Sequence, residues 1–278
     1  MEQNTVTVML TCFNRKAHTV GCLTSLVEGN PEIAFRFIVT DDNSTDGTVE
    51  ALRQLPYEIV LLQGDGQLYW NGGMHRALAY ALEQPQKTDY YMLVNDDVTF
   101  FEYSIQKLIR RHKSCESPVN SVLVGATADD KGETSYGGIR LKSRFFAKFE
   151  LVSPSLALQE CDSFNGNCVL LPSEVFFKVG NVDPLYRHSM SDFDYGMEMK
   201  RQGICIYNSE KHVGACVDND ITGSWRDTKL SRKERLQKKE SPKGLPRKDW
   251  FHFIRKNYGL ISAVYHSVTP YIRILIGK

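Results

Sequence analysis

The sequence predicts an α/β fold, with a mostly parallel central sheet covered by helices on both faces and a helical appendage at the C-terminal end. Three observations predict it. Apolar, β-branched runs alternate with helix-spaced segments through the first third of the chain. Those runs are continuously apolar, as strands buried on both faces must be. After Thr222 the composition turns abruptly basic and aromatic.

The elements follow in order. "VTVMLTCF" is the first strand, and "KAHTVGCLTSLVEG" a helix with Val20, Leu23, Leu26 and Val27 at helical spacing. "FRFIVTDD" is a second strand and "STDGTVEALRQL" a capped helix. "YEIVLLQG" is a third strand. "NGGMHRALAYALEQ" reads as a helix that starts at an Asn71 cap, with Met74, Leu78 and Leu82 on one face. "YYMLVNDDV" is a fourth strand. A parallel sheet with right-handed crossovers follows. Further along, "SVLVGAT", "SYGGIRL", "GNCVLLP", "ICIYN" and "HVGACV" read as strands, and "SEVFFKVG" and "DFDYGMEMKRQG" as helices. The division this suggests is a catalytic domain over residues 1–222, with halves 1–98 and 99–222, and an appendage over 223–278.

The 278 residues suffice for one sizeable domain. A net charge of +1 gives no reason to expect a nucleic-acid partner. The chain starts almost directly with a strand, no run suits a membrane-spanning helix, and the seven scattered cysteines include no C-x-x-C pair. These features suit a cytoplasmic protein with reduced thiols in its core.

Ligands of an open parallel sheet bind beyond the carboxyl ends of its strands. Here those ends carry Thr11 to Arg15, then Asp41 and Asp42, then Asn95, Asp96 and Asp97. Carboxylates gathered at one edge raise one another's pKa unless a cation joins them. Mg²⁺ or Mn²⁺ with a diphosphate is the economical solution, because such ions take one or two carboxylates and fill their shell with phosphate oxygens and water. Each segment alone also reads as a turn or a cap; their succession at strand ends carries the inference. No dinucleotide fingerprint, phosphate-binding lysine loop, serine elbow or zinc spacing is present.

The segments "TCFNR", "DDNSTDGT", "NGGMHRAL", "LVNDDV", "FNGNCVLLPSEVFFKVGNVDP" and "SMSDFDYGMEMKRQG" together resemble the family 2 glycosyltransferases of the GT-A fold, in that family's order over about three quarters of the chain. The resemblance implies an inverting, metal-dependent sugar transfer from a nucleotide diphosphate donor. It implies that Thr11, Phe13 and Arg15 line the nucleotide pocket, that Asp42 holds the base or ribose, and that Asn71, Gly72, Gly73 and Arg76 lie near the nucleotide and its phosphates. Asp97 becomes the metal ligand, with Asp96 toward the donor ribose or sugar. Asn165, Gly166 and Asn167 contact acceptor or donor sugar. Asp192 becomes the general base, and Asp194 an orienting or acceptor-binding group. Two departures stand out. Ser191 occupies the place of the usual Glu, and the family's metal-binding His has no clear counterpart, Ala215 and Cys216 standing nearest and His212 earlier.

The expected partners are a UDP- or dTDP-sugar and a lipid-linked glycan acceptor of a bacterial surface polysaccharide, such as a capsule or O-antigen unit. Between Arg226 and Lys256 twelve basic side chains face four acidic ones, with Trp250, Phe251 and Phe253 interleaved. That combination suits peripheral contact with an anionic membrane on its inner face. The apolar run from Leu260 to Ile276 equally suits packing on the domain or a homodimer contact. A sugar nucleotidyltransferase is the rival activity, disfavoured by "CFNRKAHT" where a Gly-rich basic loop would stand. A non-catalytic scaffold is the other, disfavoured by the intact Asp42, Asp97 and Asp192.

Overall fold

The computed structural model describes residues 3–84, 86–143, 147–217 and 221–277. The first half follows the alternation of the sequence. β1 (Asn4–Cys12), α1 (Lys16–Gly29), β2 (Ile33–Asp41), α2 (Thr48–Arg53), β3 (Glu58–Gln63), α3 (Tyr69–Glu83) and β4 (Tyr90–Val94) succeed one another. β5 (Thr99–Phe100) and α4 (Ser104–Lys113) follow, then β6 (Ser121–Val124), β7 (Thr127–Ala128), β8 (Thr134–Tyr136), β9 (Gly138–Ser143), β10 (Lys148–Leu151), β11 (Gln159–Cys161), β12 (Ser163–Phe164) and β13 (Cys168–Pro172). α5 (Ser173–Val179), α6 (Ser191–Arg201), β14 (Cys205–Asn208) and β15 (Gly214–Ala215) complete the sheet-bearing part. α7 (Arg232–Glu240), α8 (Arg247–Tyr258) and α9 (Leu260–Leu275) end the chain.

The central sheet has the strand order β11-β14-β6-β13-β4-β1-β2-β3. Neighbours from β4 to β3 are parallel, as are β6 and β14, while β13 and β11 run antiparallel to their neighbours. Each strand feeds both faces in turn. Tyr90, Met92 and Val94 of β4 join the core under α1 and α4, and Tyr91 and Leu93 join the core under α3, α5 and α6. Burial on both faces is why these strands are continuously apolar.

Two helix starts differ from the sequence pattern. α3 begins at Tyr69, and Asn71 lies inside the helix. The capping carboxylate is Asp42, which accepts the N–H groups of Gly66, Leu68 and Tyr69 at 2.8, 3.0 and 3.1 Å. α4 was not evident in the sequence; Asn30, which ends α1, caps it by accepting the Ile105 N–H at 2.9 Å.

The C-terminal helices pack onto the sheet-bearing part. Phe253, Ile254 and Ala263 share a core with Tyr186, Met190, Phe193 and Met197. Six cysteines are buried, Cys205 is partly exposed, and all seven are free thiols.

Candidate active site

The turn after β4 brings the acidic residues to the sheet edge. Arg15, just past β1, bridges them, its guanidinium lying 3.2 Å from an Asp96 oxygen and 3.0 Å from Asp97 Oδ2. Asp96 is buried and also accepts the Thr19 hydroxyl at 3.2 Å. Burial pushes its carboxyl up to about 6 against the pull of Arg15, and Asp97 adds to the rise. Asp97 is half-buried, and its Oδ1 accepts the Cys216 thiol at 3.5 Å. Burial, then the neighbouring Asp97, pushes Cys216 up to about 12, so it is a neutral donor.

From this edge hydrogen bonds, and one packing contact between Trp70 and Gly166, lead to Asp192. Cys216 accepts the Asn167 side-chain amide at 3.5 Å, and the Asn167 carbonyl accepts the Asn95 N–H at 3.2 Å. The Asn95 side-chain oxygen accepts the Trp70 indole N–H at 2.7 Å. Trp70 packs against Gly166, where an added Cβ would lie 2.6 Å from the indole ring. The Gly166 N–H in turn donates to Asp192 Oδ2 at 3.1 Å. Asp192 is the second residue of α6, and its Oδ1 accepts the Phe193 N–H at 2.9 Å. Burial pushes its carboxyl up to about 6, more than these two N–H groups lower it. His188 Nδ1 accepts the Trp70 backbone N–H at 3.4 Å; burial pushes this imidazole down to about 4, and it stays neutral.

The structure thus brings Arg15, Asp96, Asp97, Gly166, Asn167 and Asp192 into one connected region. Phe13 is exposed at the end of β1. Asn165 pairs with Gly137 through its backbone at 3.0 Å. The other residues expected at the site also make contacts that hold the framework. Asp42 spends both oxygens on the loop before α3. The Asn71 amide donates to the carbonyls of Asp183 and Tyr186 at 3.0 and 2.7 Å, and its oxygen accepts the Ser191 hydroxyl. The exposed Arg76 donates to the Gln63 carbonyl, and Gly72 sits on the Leu68 side chain. Gly73 lies against Thr11, whose hydroxyl donates to the Thr40 carbonyl at 3.1 Å.

Asp194 lies away from Asp192. Two residues along a helix is a turn of about 200°, so Asp192 and Asp194 face opposite ways. Asp194 is buried against α8, where it accepts Lys256 at 2.6 Å and Asn257 at 2.9 Å. Trp70 is the participant that motif reading missed; Asn95 was read only as part of a strand end, and Cys216 only as standing near the place of the family's metal-binding His. An aromatic pair directly before "NGG" was the available signal for Trp70.

Among the described residues no cluster of three or more His, Cys, Asp or Glu side chains gathers around one point. What the sheet edge offers is the adjacent carboxylate pair Asp96 and Asp97, both within reach of Arg15. That fits a hard divalent ion which takes its remaining ligands from phosphate oxygens and water.

The model of glycosyl transferase family 2 matches residues 7–163, more than half of the chain. The chain belongs to glycosyltransferase family 2. Solved structures agree on the GT-A fold. The mannosyltransferase PcManGT from Pyrobaculum calidifontis, in complex with GDP-Man and Mn²⁺, superposes with a TM-score of 0.58 at 13% identity, over 98% of this chain and 73% of that one. GalNAc-T7 with UDP, GalNAc and Mn²⁺ gives 0.60 at 10% identity, over 98% of this chain and 56% of that one. Residues 1–349 of S. aureus TarS give 0.55 at 13% identity, over 98% and 80%. No curated protein matches the chain. At these identities the likeness is one of fold, and this glycosyltransferase's site must be argued from its own residues.

Proposed function

We propose that this glycosyltransferase inverts the anomeric centre of a hexose-type sugar as it moves the sugar from UDP or dTDP to a lipid-linked glycan acceptor in bacterial surface-polysaccharide synthesis. The observation that carries the mechanism is the contiguous path from the Asp97 edge to Asp192, made of hydrogen bonds through Cys216, Asn167, Asn95 and Trp70 and of the packing of Trp70 on Gly166, whose N–H reaches Asp192. It supports a donor diphosphate at one end of a single site and a base at the other.

The acceptor hydroxyl attacks the anomeric carbon, and Asp192 takes its proton as the new C–O bond forms. The bond to the diphosphate breaks on the opposite face, and the nucleoside diphosphate leaves with the electron pair. A base whose pKa is raised to about 6 is ionised at neutral pH yet basic enough to help in the transition state. Asp97 would hold the Mg²⁺ or Mn²⁺, whose chemistry when bound is to offset charge growing on the leaving group. Arg15 already balances the two carboxylates and is placed to turn toward a phosphate. Neutral His188 holds the Trp70 backbone, and the Trp70 indole packs on Gly166 beside Asp192, so neither adds charge there. Mn²⁺ accompanies the nucleotide in the PcManGT and GalNAc-T7 structures, which supports the metal assignment by analogy of fold.

The test is metal-dependent nucleotide binding. Calorimetry with UDP, dTDP, GDP and CMP, with and without Mn²⁺, should pick out one uridine or thymidine diphosphate. Asp97→Ala should abolish the Mn²⁺-dependent part of that affinity in a folded protein. Unchanged Mn²⁺-dependent binding by the variant would remove Asp97 from the metal site.

A further inference from the structure

We propose that the outer face of α9 is a docking surface for the interfacial layer of an anionic membrane. α9 has two unlike faces. Ala263, His266, Ser267, Pro270 and Ile274 are buried inward. Ile261, Val264, Tyr265, Val268, Ile272 and Leu275 point outward, Ile261 being 87% exposed and none of the six below 49%. Their spacing puts them on one stripe running the length of the helix. A continuous exposed stripe of large apolar side chains marks an interaction surface.

Length and charge select the occupant. Sixteen residues of helix reach about 24 Å, less than the ~30 Å hydrocarbon core of a bilayer. No described helix is long and apolar enough to cross a membrane. α9 therefore suits lying in the interface plane, apolar face down. It carries no acidic residue. The segment before it, from Arg226 to Lys256, holds eight more basic than acidic residues, and all of its basic residues except Arg235 and Lys239 are exposed, Lys256 alone of these being held by Asp183 and Asp194. Anionic headgroups attract such a segment. α7 and α8, which carry most of that excess, pack against α9, so a second copy meeting this one stripe to stripe would bring like-charged segments near each other, with no complementary charge between them.

The same helices reach the catalytic loop. Asp249 of α8 accepts the Arg187 N–H at 3.0 Å, and the Ser189 hydroxyl donates to the Gly244 carbonyl at 2.8 Å. Docking by α9 would hold the segment leading to Asp192 at a fixed place beside the bilayer. This deepens the proposed function and rests on its lipid-linked acceptor for its purpose, though the docking chemistry stands independently.

The test is flotation of the full chain with phosphatidylcholine vesicles, with and without phosphatidylglycerol, at low and high salt. The native chain should float with the anionic vesicles and lose binding as salt rises. The variant Ile261→Glu, Val268→Glu, Ile272→Glu changes exposed positions only; it should keep its melting temperature and nucleotide affinity and lose vesicle partitioning about tenfold or more. Equal flotation of variant and native chain overturns the proposal, as does equal binding to neutral vesicles. No flotation by a native chain that sediments as a dimer, with the dimer lost in the variant, overturns it in favour of a second copy. A chain that floats as expected but binds no nucleotide diphosphate overturns the transferase reading and leaves the docking surface standing.

Discussion

Asp192, the proposed base, sits where its surroundings disfavour its charge. Its folded pKa of about 6 lies above the ordinary 3.8, so the folded state binds this proton more tightly than the unfolded chain does. The stability that follows is fully present below pH 3.8 and is lost as pH rises through about 6. Buried Asp96 shifts in the same direction. The site is therefore held at a cost at neutral pH, as expected where function sets the ionisation state. Two results follow for Asp192→Asn. Turnover should fall by about 10²–10⁴, as for a lost general base, while donor affinity survives. In the native enzyme the rate should climb with pH and level off above about 6. The stability of the variant relative to the native chain should also rise between pH 4 and pH 7, by on the order of 1–3 kcal/mol. Urea titrations at several pH values measure this. Comparing pH values cancels the hydrogen bond lost because Asn offers one acceptor oxygen to the Gly166 and Phe193 N–H groups. A stability difference that does not vary with pH would mean Asp192 titrates normally.

α3 illustrates why elements were legible and their ends were not. Its buried Met74, Ala77, Leu78 and Ala81 repeat at helical spacing, as the strands repeat their apolar runs, so existence and face were readable. Its cap, Asp42, stands more than twenty residues upstream, and the cap of α4 is Asn30 in another element. Local pattern cannot report a cap that tertiary structure supplies. Gly73 is similar. The family resemblance implies a place near the nucleotide; what no motif reports is that its missing side chain lets α3 lie against β1: a Cβ there would overlap Thr11 Oγ1, and the Thr40 hydroxyl ties down the Gly73 carbonyl at 2.9 Å. Gly73→Ala should destabilise the fold by about 1–3 kcal/mol through this overlap. Gly72→Ala should cost less, since its Cβ would meet only the flexible Leu68 side chain, at 3.2 Å. Denaturation midpoints of the pair decide it. Equal midpoints would mean that α3 can move off β1 freely.

At the scale of the molecule, the appendage that composition marks as separate is built into the active-site half. Asp183 faces His252 at 3.0 Å and Lys256 at 3.3 Å, Lys256 also holds Asp194, and Asp249 holds the Arg187 backbone. The segment from Asp183 to Ser191 is thereby clamped between Asn71 on α3 and the C-terminal helices. The basic and aromatic composition of the appendage was readable, but these links join residues some sixty positions apart, which no motif encodes. Asp249 is the sharpest test of the clamp, being buried and bonded to the backbone of the segment that leads to Asp192. Asp249→Ala leaves the Arg187 N–H without its acceptor, a loss of about 1–3 kcal/mol. It should also lower kcat while leaving nucleotide affinity unchanged, because the loop leading to Asp192 loosens and the Arg15–Asp96–Asp97 edge does not. Asp249→Asn keeps an acceptor oxygen in place and should recover most of the rate. Steady-state kinetics with saturating donor, beside calorimetry of the nucleoside diphosphate, separates the two effects. If Asp249→Ala lost donor affinity in step with kcat, the appendage would support the whole domain and not the catalytic loop.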